Sequence, residues 1–200
     1  MKPEEILGKA LETLRSGGTI LYPTDTVWGI GCDATNPEAV AKIFEIKKRA
    51  DSKSLVLLAC DLDMVARFVA EIPSIAIDLV EVNDAPMTLI YPGAKAGVRG
   101  EKGDRWHLAW NAVAEDGSTG IRIPLMDWCR QLVFKLGRPI VSTSANISGE
   151  PTPVRFSEID PAIKDAVDFV VPPSVDTQST GKASQILKVG LKGEIEIIRK

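Results

Sequence analysis

Apolar residues recur with helical spacing in several segments of the chain. The first helix is predicted at residues 3–16, with Gly17 and Gly18 as its stop. Its apolar face consists of Ile6, Leu7, Ala10, Leu11 and Leu14. A second helix is predicted after Asn36, which is a suitable N-cap, with Pro37 at the first helical position. Further helices are predicted at residues 64–70, 75–82, 126–136 and 156–167.

Short apolar runs bounded by turn residues predict the strands. These runs lie at residues 19–22, 54–60, 87–91, 120–123, from 140 onward, 169–171, 184–189 and 194–198. Residues 94–118 have no clear period, and a loop of this length in a compact domain is often functional. Helices and strands alternate without a repeat or a linker rich in Pro and Gly. We therefore expect a single α/β domain over residues 1–200, built on a mixed, twisted sheet.

Charge and cysteine content narrow the classes of function. The formal net charge of the 200 residues is -3, so the chain as a whole is not a polyanion binder, and a basic patch would have to be local. With one histidine, His107, and three scattered cysteines, no zinc site is expected. The N-terminus is a charged amphipathic helix instead of a signal peptide, and no apolar run is long enough to span a bilayer. Scattered thiols favour a reducing compartment, so we expect a soluble cytoplasmic protein.

Polar residues collect where predicted strands end. In YPTDTVWGIGCDA, Thr24, Asp25 and Thr26 follow a strand, and Gly29 and Gly31 would let a backbone approach a ligand closely. A turn in which the Thr and Asp side chains bond local amides explains the same residues without a ligand. This stretch alone favours the turn.

A basic run, EIKKRADSKSL, surrounds the end of the second predicted helix. Lys47, Lys48, Arg49 and Lys53 could clamp a phosphate, but cations at a helix C-terminus are also favoured by the helix dipole. The basic run alone does not decide between these two explanations.

Arg122 lies within the short strand of GIRIP and needs a partner, which is either an internal carboxylate or an anionic substrate.

The stretch IVSTSANISGEP starts as a buried strand and then becomes polar. Ser142, Thr143, Ser144 and Asn146 form either a capped turn or the floor of a polar site. The chain has no Walker A loop, GxGxxG, GxSxG or HExxH motif. An enzyme with this sequence would act by positioning and by neutralising phosphate charge, without an evident nucleophile.

Taken in order along the chain, these stretches resemble the YrdC family of threonylcarbamoyl-AMP synthases. The matching features are YPTDTVWGIGCDA, then Lys47 and Arg49 with Lys53, then GIRIP, then STSANISGEP, and the resemblance covers nearly the whole chain. It implies a YrdC-like α/β fold, in which an open, strongly twisted mixed β-sheet with flanking helices surrounds a positively charged concave cavity.

The resemblance also implies an activity and its partners. Such enzymes are nucleotidyltransferases that make threonylcarbamoyl-AMP and pyrophosphate from L-threonine, bicarbonate and ATP. A separate tRNA threonylcarbamoyltransferase complex would then modify position 37 of tRNA. Mg²⁺ would accompany ATP with few protein ligands, and no protein metal site is expected.

Site residues are carried over by similarity alone. Lys47 and Arg49 would be catalytic and, with Lys53, would hold the phosphates of ATP. The other ATP contacts would be Ser118, Ser142, Ser144, Asn146 and Arg199. The threonine contacts would be Thr24, Arg122 and Ser184.

Two other functions remain open at this point. One is an RNA-binding module without catalysis that takes double-stranded RNA or tRNA, with an affinity that falls steeply with salt. The other is a relative that forms a carbamoyl adenylate from carbamoyl phosphate, as in hydrogenase maturation proteins. Those domains normally belong to longer chains with additional segments that this sequence lacks.

Overall fold

Six α-helices are present in residues 2–48 and 55–200, which are the residues that the computed structural model describes. They are α1 (Pro3–Arg15), α2 (Pro37–Lys47), α3 (Leu62–Phe68), α4 (Ser74–Glu81), α5 (Asp127–Leu136) and α6 (Pro161–Ala166). The predicted apolar face of α1 is buried in full. The Asn36 side chain caps α2 by accepting hydrogen bonds from the amides of Glu38 and Ala39. The helix predicted at 156–167 is divided into a 3₁₀ turn (Phe156–Glu158) and α6, which has its own cap at Asp160.

The strands are short. The strand predicted at 87–91 is observed with those bounds, and the other predicted strands agree to within one or two residues, except that residue 54 of the run 54–60 lies outside the described residues. They are β1 (Ile20–Tyr22), β2 (Gly29–Gly31), β3 (Val56–Leu58), β4 (Met87–Tyr91), β5 (Thr119–Arg122), β6 (Ile140–Ser144), β7 (Phe169–Val170), β8 (Gln185–Val189) and β9 (Ile195–Arg199). Two short 3₁₀ turns lie at Trp110–Ala112 and Pro173–Val175. Strand β2 was not predicted, because its sequence Gly-Ile-Gly has little strand propensity.

The strands form one mixed sheet in the order β7-β1-β2-β6-β3-β5-β4-β8-β9. Three neighbouring pairs are parallel, namely β1–β7, β3–β5 and β4–β8. The other five pairs are antiparallel. The large mixed sheet with flanking helices confirms the predicted fold class.

The sheet centre is covered by apolar side chains. Trp28, Tyr22, Tyr91 and Phe68 are among the largest side chains that are fully buried. Helix α1 packs against α5 beside this core. None of the helices in the two described ranges is long and apolar enough to cross a lipid bilayer.

Candidate active site

A polar cavity of about 290 Å³ lies on one face of the sheet. Its lining comes from the loop after β1, the start of β2, the end of β6 and the chain beyond it, the residues directly before β8, and parts of β3, β5, β8 and β9. The residues are Thr24, Thr26, Val27, Gly29, Val56, Arg122, Ser142, Thr143, Ser144, Thr152, Ala183, Ser184, Ile186 and Arg199. The fold therefore brings together six of the residues predicted for the site, which are Thr24, Arg122, Ser142, Ser144, Ser184 and Arg199.

Sheet register places two arginines on the same face. Leu58, Arg122, Thr88, Ile186 and Arg199 are successive partners across β3, β5, β4, β8 and β9. Directly paired residues project to the same side of a sheet. Both guanidinium groups therefore face the cavity, although 77 positions separate them in the chain.

Arg122 is buried and has an internal counterion. Its Nη1 donates to Oδ1 of Asp25, and both side chains are about 4% exposed. The second oxygen of Asp25 accepts a hydrogen bond from the amide of Leu125 at 2.9 Å. The Nε of Arg122 is also buried and has no hydrogen-bond partner among the described residues. The partner that the sequence required for Arg122 is therefore an internal carboxylate, while the guanidinium also lines the cavity.

Arg199 lies across the cavity in a different environment. Its Nε donates to the carbonyl of Ser184 at 2.9 Å, and its Nη2 lies 3.4 Å from the Ser184 hydroxyl. That hydroxyl is also 2.8 Å from Oγ1 of buried Thr88. Arg199 pairs with no carboxylate within the described part of the chain. Burial, and to a lesser extent the charge of Arg122, lower the pKa of Arg199, which nevertheless stays protonated.

The charge of the cavity follows from these contacts. Asp25 offsets the charge of Arg122, whereas no carboxylate in residues 2–48 and 55–200 pairs with Arg199. The cavity therefore carries a net positive charge, although the whole chain is acidic. Arg199 is exposed, so water can solvate it without a ligand, but as a cation facing the cavity it can form charge-assisted hydrogen bonds with an anionic ligand.

The threonines of the β1–β2 loop bond to one another. Thr24 Oγ1 donates to the carbonyl of Val27 at 2.7 Å and accepts from the amide of Thr26 at 3.2 Å. The two threonine hydroxyls are 2.8 Å apart. The stretch is therefore the predicted turn with satisfied side chains, and its threonines also line the cavity.

A segment from Asp176 to Ser184 closes one side of the site. Asp176 accepts a hydrogen bond from the indole nitrogen of Trp28 at 2.8 Å. The carbonyl of Thr26 accepts from Ser179 Oγ at 2.9 Å and from the Gly181 amide at 2.7 Å. These bonds fix the segment against the β1–β2 loop, directly before Ser184 enters the cavity.

Lys47 lies beside the cavity without lining it. Its ammonium is buried and donates to the carbonyls of Ser144 at 2.5 Å and Asn146 at 2.7 Å. The amide of Ser148 in turn donates to the carbonyl of Lys47 at 2.9 Å. The end of α2 and the end of β6 are therefore joined at this residue.

The remaining predicted residues do not line the cavity or lie outside the described residues. Asn146 donates through Nδ2 to the carbonyls of Ile147 and Glu150, which holds the turn after β6. Ser118 lies one residue before β5, and its hydroxyl donates to Asp116 at 2.6 Å. This bond is the main reason that the pKa of the Asp116 carboxyl is lowered. Arg49 and Lys53 lie outside the described residues.

Sequence reasoning missed several parts of the site. Thr152, Ala183 and Ile186 line the cavity, but no motif points to them. Asp25 belongs to the stretch YPTDTVWGIGCDA, but the sequence identified it only as a polar loop residue and not as the counterion of Arg122. Its pairing with Arg122 could have been found only through the need of a buried cation for a counterion.

Comparison with known proteins identifies the family. The sequence profile of the Sua5/YciO/YrdC family, described as "Telomere recombination", matches residues 12–200. The chain belongs to the Sua5/YciO/YrdC family. This confirms the resemblance found in the motifs.

Curated members of the Sua5/YciO/YrdC family include bacterial relatives above 30% identity. The threonylcarbamoyl-AMP synthase of Stenotrophomonas maltophilia (strain K279a) is 32% identical over 173 residues, which cover 84% of this chain and 86% of the relative. The protein of the same name from Xanthomonas campestris pv. campestris (strain B100) is 34% identical over 174 residues, covering 82% of this chain and 84% of the relative.

Solved structures of the Sua5/YciO/YrdC family share the fold. Sua5 of P. abyssi complexed with L-threonine has a TM-score of 0.77 at 24% identity, covering 94% of this chain and 52% of that protein. YciO of E. coli has a TM-score of 0.73 at 22% identity, covering 100% of this chain and 90% of YciO. HypF of T. kodakarensis has a TM-score of 0.71 at 20% identity, but this chain covers only 24% of its length. The chain thus spans about half the length of the Sua5 protein and about a quarter of HypF.

Proposed function

We propose that this protein is an L-threonylcarbamoyladenylate synthase, a nucleotidyltransferase that makes threonylcarbamoyl-AMP and pyrophosphate from L-threonine, bicarbonate and ATP. The observation that carries the proposal is the cavity, in which two arginines and several hydroxyls face the same space. The names of the curated relatives and the threonine complex of Sua5 support the choice of substrates. We further propose that residues 1–200 act as a single YrdC-like domain.

The reaction requires two anions to meet. The amine of threonine and bicarbonate first give a carbamate and water. A carbamate oxygen then attacks the α-phosphorus of ATP, a new P–O bond forms, and the bond to the leaving pyrophosphate breaks. Because both reactants are negatively charged, the protein must supply cations and orientation more than a base. A positively charged cavity with fixed hydroxyls meets this requirement.

The proposed division of the cavity follows its two arginines. Arg122 would bind the carboxylate of threonine, with Thr24 and Ser184 beside it. The ATP half would contain Arg199 and the β6 hydroxyls of Ser142 and Ser144.

The other residues proposed for ATP would lie around the ATP half of the cavity or support it. Lys47 would support it through the end of β6, because its ammonium holds two carbonyls there. Asn146, Ser118, Arg49 and Lys53 complete the set proposed for ATP. Of the two residues predicted as catalytic, Arg49 stays proposed in that role, whereas Lys47, which does not line the cavity, is proposed to position the end of β6.

Mg²⁺ would enter as a complex with ATP. The carboxylate beside the cavity, Asp25, already has both oxygens hydrogen-bonded, one to Arg122 and the other to the amide of Leu125. The phosphates of ATP, and not the protein, would therefore supply most of the ligands of the ion. In the cell, we propose that the product passes to a separate tRNA threonylcarbamoyltransferase complex in the cytoplasm.

Pyrophosphate release from ATP tests the proposal. The assay is run with threonine and bicarbonate together, with either one withheld, and with carbamoyl phosphate in their place. We expect release only when threonine and bicarbonate are both present. Release with carbamoyl phosphate and no threonine would instead indicate a carbamoyl-adenylate synthase. No release, together with salt-sensitive binding of RNA, would favour a binding module.

A further inference from the structure

We propose that Asp25 is a positioning residue that aligns Arg122 with the carboxylate of the amino-acid substrate. The inference rests on the proposed function, because it assigns a role within the threonine half of the cavity. Asp25 itself is buried and does not line the cavity. It would therefore act through Arg122 and not by touching the substrate.

The two oxygens of Asp25 are used by two different donors. Oδ1 accepts from Nη1 of Arg122, and Oδ2 accepts from the backbone amide of Leu125. The carboxylate thereby ties Arg122, at the end of β5, to the chain that directly follows this strand. With both oxygens engaged, Asp25 is poorly placed to act as a general base.

The backbone of Asp25 is fixed as well. Its carbonyl accepts hydrogen bonds from the amide of Thr180 at 3.2 Å and from the hydroxyl of Thr180 at 3.1 Å. The carbonyl of Pro23, two residues earlier, accepts from the thiol of Cys129 at 3.1 Å. The carboxylate is thus held from several sides, so it can hold the guanidinium in one orientation.

Orientation matters because guanidinium recognition is directional. An arginine that is held in place before the ligand arrives loses less side-chain freedom on binding, and its planar donors can match a carboxylate. The Nη1 of Arg122 is committed to Asp25 and its Nε is buried, so neither atom is open to a ligand. Because Arg122 nevertheless lines the cavity, the remainder of its guanidinium can meet a ligand there.

The charge of Asp25 and the alignment that it gives Arg122 make opposite contributions to threonine affinity, so the experiment must separate the two effects. The negative charge of Asp25 weakens the attraction of Arg122 for another anion, whereas its hydrogen bond directs the group. Asp25→Glu keeps the charge but moves the carboxylate by one methylene group. Asp25→Asn keeps the size but has a single acceptor oxygen, so its NH₂ must face either Arg122 or the Leu125 amide.

Threonine binding is measured by calorimetry, and the KM values for threonine and ATP are measured by pyrophosphate release. For Asp25→Glu we expect threonine affinity to fall at least tenfold, while the KM for ATP changes less than twofold. For Asp25→Asn we expect a fall as well, despite the lost negative charge. In the Arg122→Ala background, either change should have no further effect on threonine binding, because the residue through which Asp25 acts is gone.

Each other outcome has a definite meaning. Unchanged or tighter threonine binding in both variants would overturn the inference, as would an equal loss for threonine and ATP. An additional loss in the Arg122→Ala background would show a general structural role.

If a single variant does not fold, Asp25→Asn combined with Arg122→Met removes the unpaired buried charge. Threonine affinity equal to that of Arg122→Met alone would then support the inference, and a lower affinity would refute it. Wild-type protein that neither binds threonine nor releases pyrophosphate would overturn the proposed function itself.

Discussion

At the scale of single residues, the two cavity arginines differ in their counterions, and this difference predicts separate roles. Arg122→Ala should raise the KM for threonine about 10- to 100-fold with little change in the KM for ATP, because a hydrogen bond to a charged group contributes about 1.5–3 kcal/mol. Arg199→Ala should show the reverse order. Steady-state kinetics with each substrate varied in turn measure both effects. Arg130→Ala, at an exposed position on α5, is the control. Equal losses for both substrates in either cavity variant would contradict this division of the site.

Lys47 has a structural contribution that its neighbour lacks. Lys47→Met should lower the free energy of unfolding by about 1–3 kcal/mol, because the carbonyls of Ser144 and Asn146, in half-buried residues, lose a charged donor. Lys48→Met is the matched control, since Lys48 is exposed and adjacent. Urea unfolding followed by tryptophan fluorescence measures both. If the two variants unfold alike, the bonds from Lys47 to the end of β6 do not stabilise the fold.

The sequence predicted what Arg122 needs but not which residue supplies it. A charged residue between apolar neighbours in a short strand indicates a counterion, and that expectation needs only local sequence. Asp25 lies 97 positions away, and the pairing depends on where the β1–β2 loop meets the end of β5. No local pattern contains that information.

At the scale of elements, glycines mark where strands approach closely. A Cβ on Gly31 would lie 2.5 Å from the carbonyl oxygen of Val141 and 2.7 Å from Tyr22. Gly31→Ala should therefore push β2 from β6 and lower the free energy of unfolding by about 1–3 kcal/mol. Gly8→Ala, in the middle of α1 with open space around it, should raise that energy by about 0.5–1 kcal/mol. Urea unfolding of both variants tests the pair, and a stabilised Gly31→Ala protein would contradict the close approach.

The segment before β8 depends on a small number of bonds. Asp176→Ala removes the partner of the Trp28 indole nitrogen and of the Ser179 amide, so the segment should open more often. Trypsin should then cleave after exposed Lys182 several times faster than in the wild type. Asp165→Ala changes an exposed carboxylate on α6 and serves as the control. Equal cleavage rates in all three proteins would show that Asp176 does not hold this segment.

Elements were predicted best where a local pattern is strong. Helix α2 has a cap at Asn36 and a proline at its first position, and both signals act within a few residues. Strand β2 has neither, and it exists because it pairs with β1 on one side and β6 on the other. Tertiary pairing, which a local pattern does not contain, decides such an element.

At the scale of the whole molecule, the order of the strands could not be predicted from periodicity. Strand β6 lies between β2 and β3, so the polar end of β6 meets the loop after β1. This arrangement turns distant polar stretches into one cavity. From the sequence, these polar stretches could be assigned to one site only through the resemblance to a family. That resemblance rested on the order of the motifs along the chain and not on their positions in space.

The response of the protein to alkaline pH is a property of its whole core. Burial raises the pKa of the thiols of Cys32 and Cys129, and it also raises the pKa of Tyr22 and Tyr91. The folded state keeps these protons at a pH where the unfolded chain has lost them. Above the unfolded thiol pKa of about 8.5, the unfolded state binds fewer protons, so stability falls as pH rises. Each buried thiol contributes a slope of at most about 1.4 kcal/mol per pH unit.

Cys129→Ser tests this slope at one site. The serine hydroxyl can still donate to the carbonyl of Pro23, as the thiol does, but it does not ionise in this range. Between about pH 8 and pH 10, on either side of the unfolded thiol pKa, the free energy of unfolding should therefore decline less steeply in the variant than in the wild type. Ser157→Ala, at an exposed position, should leave the wild-type slope unchanged. Identical slopes for Cys129→Ser and the wild type would mean that this thiol ionises in the folded protein as readily as in the unfolded chain, which its burial beside Asp25 opposes.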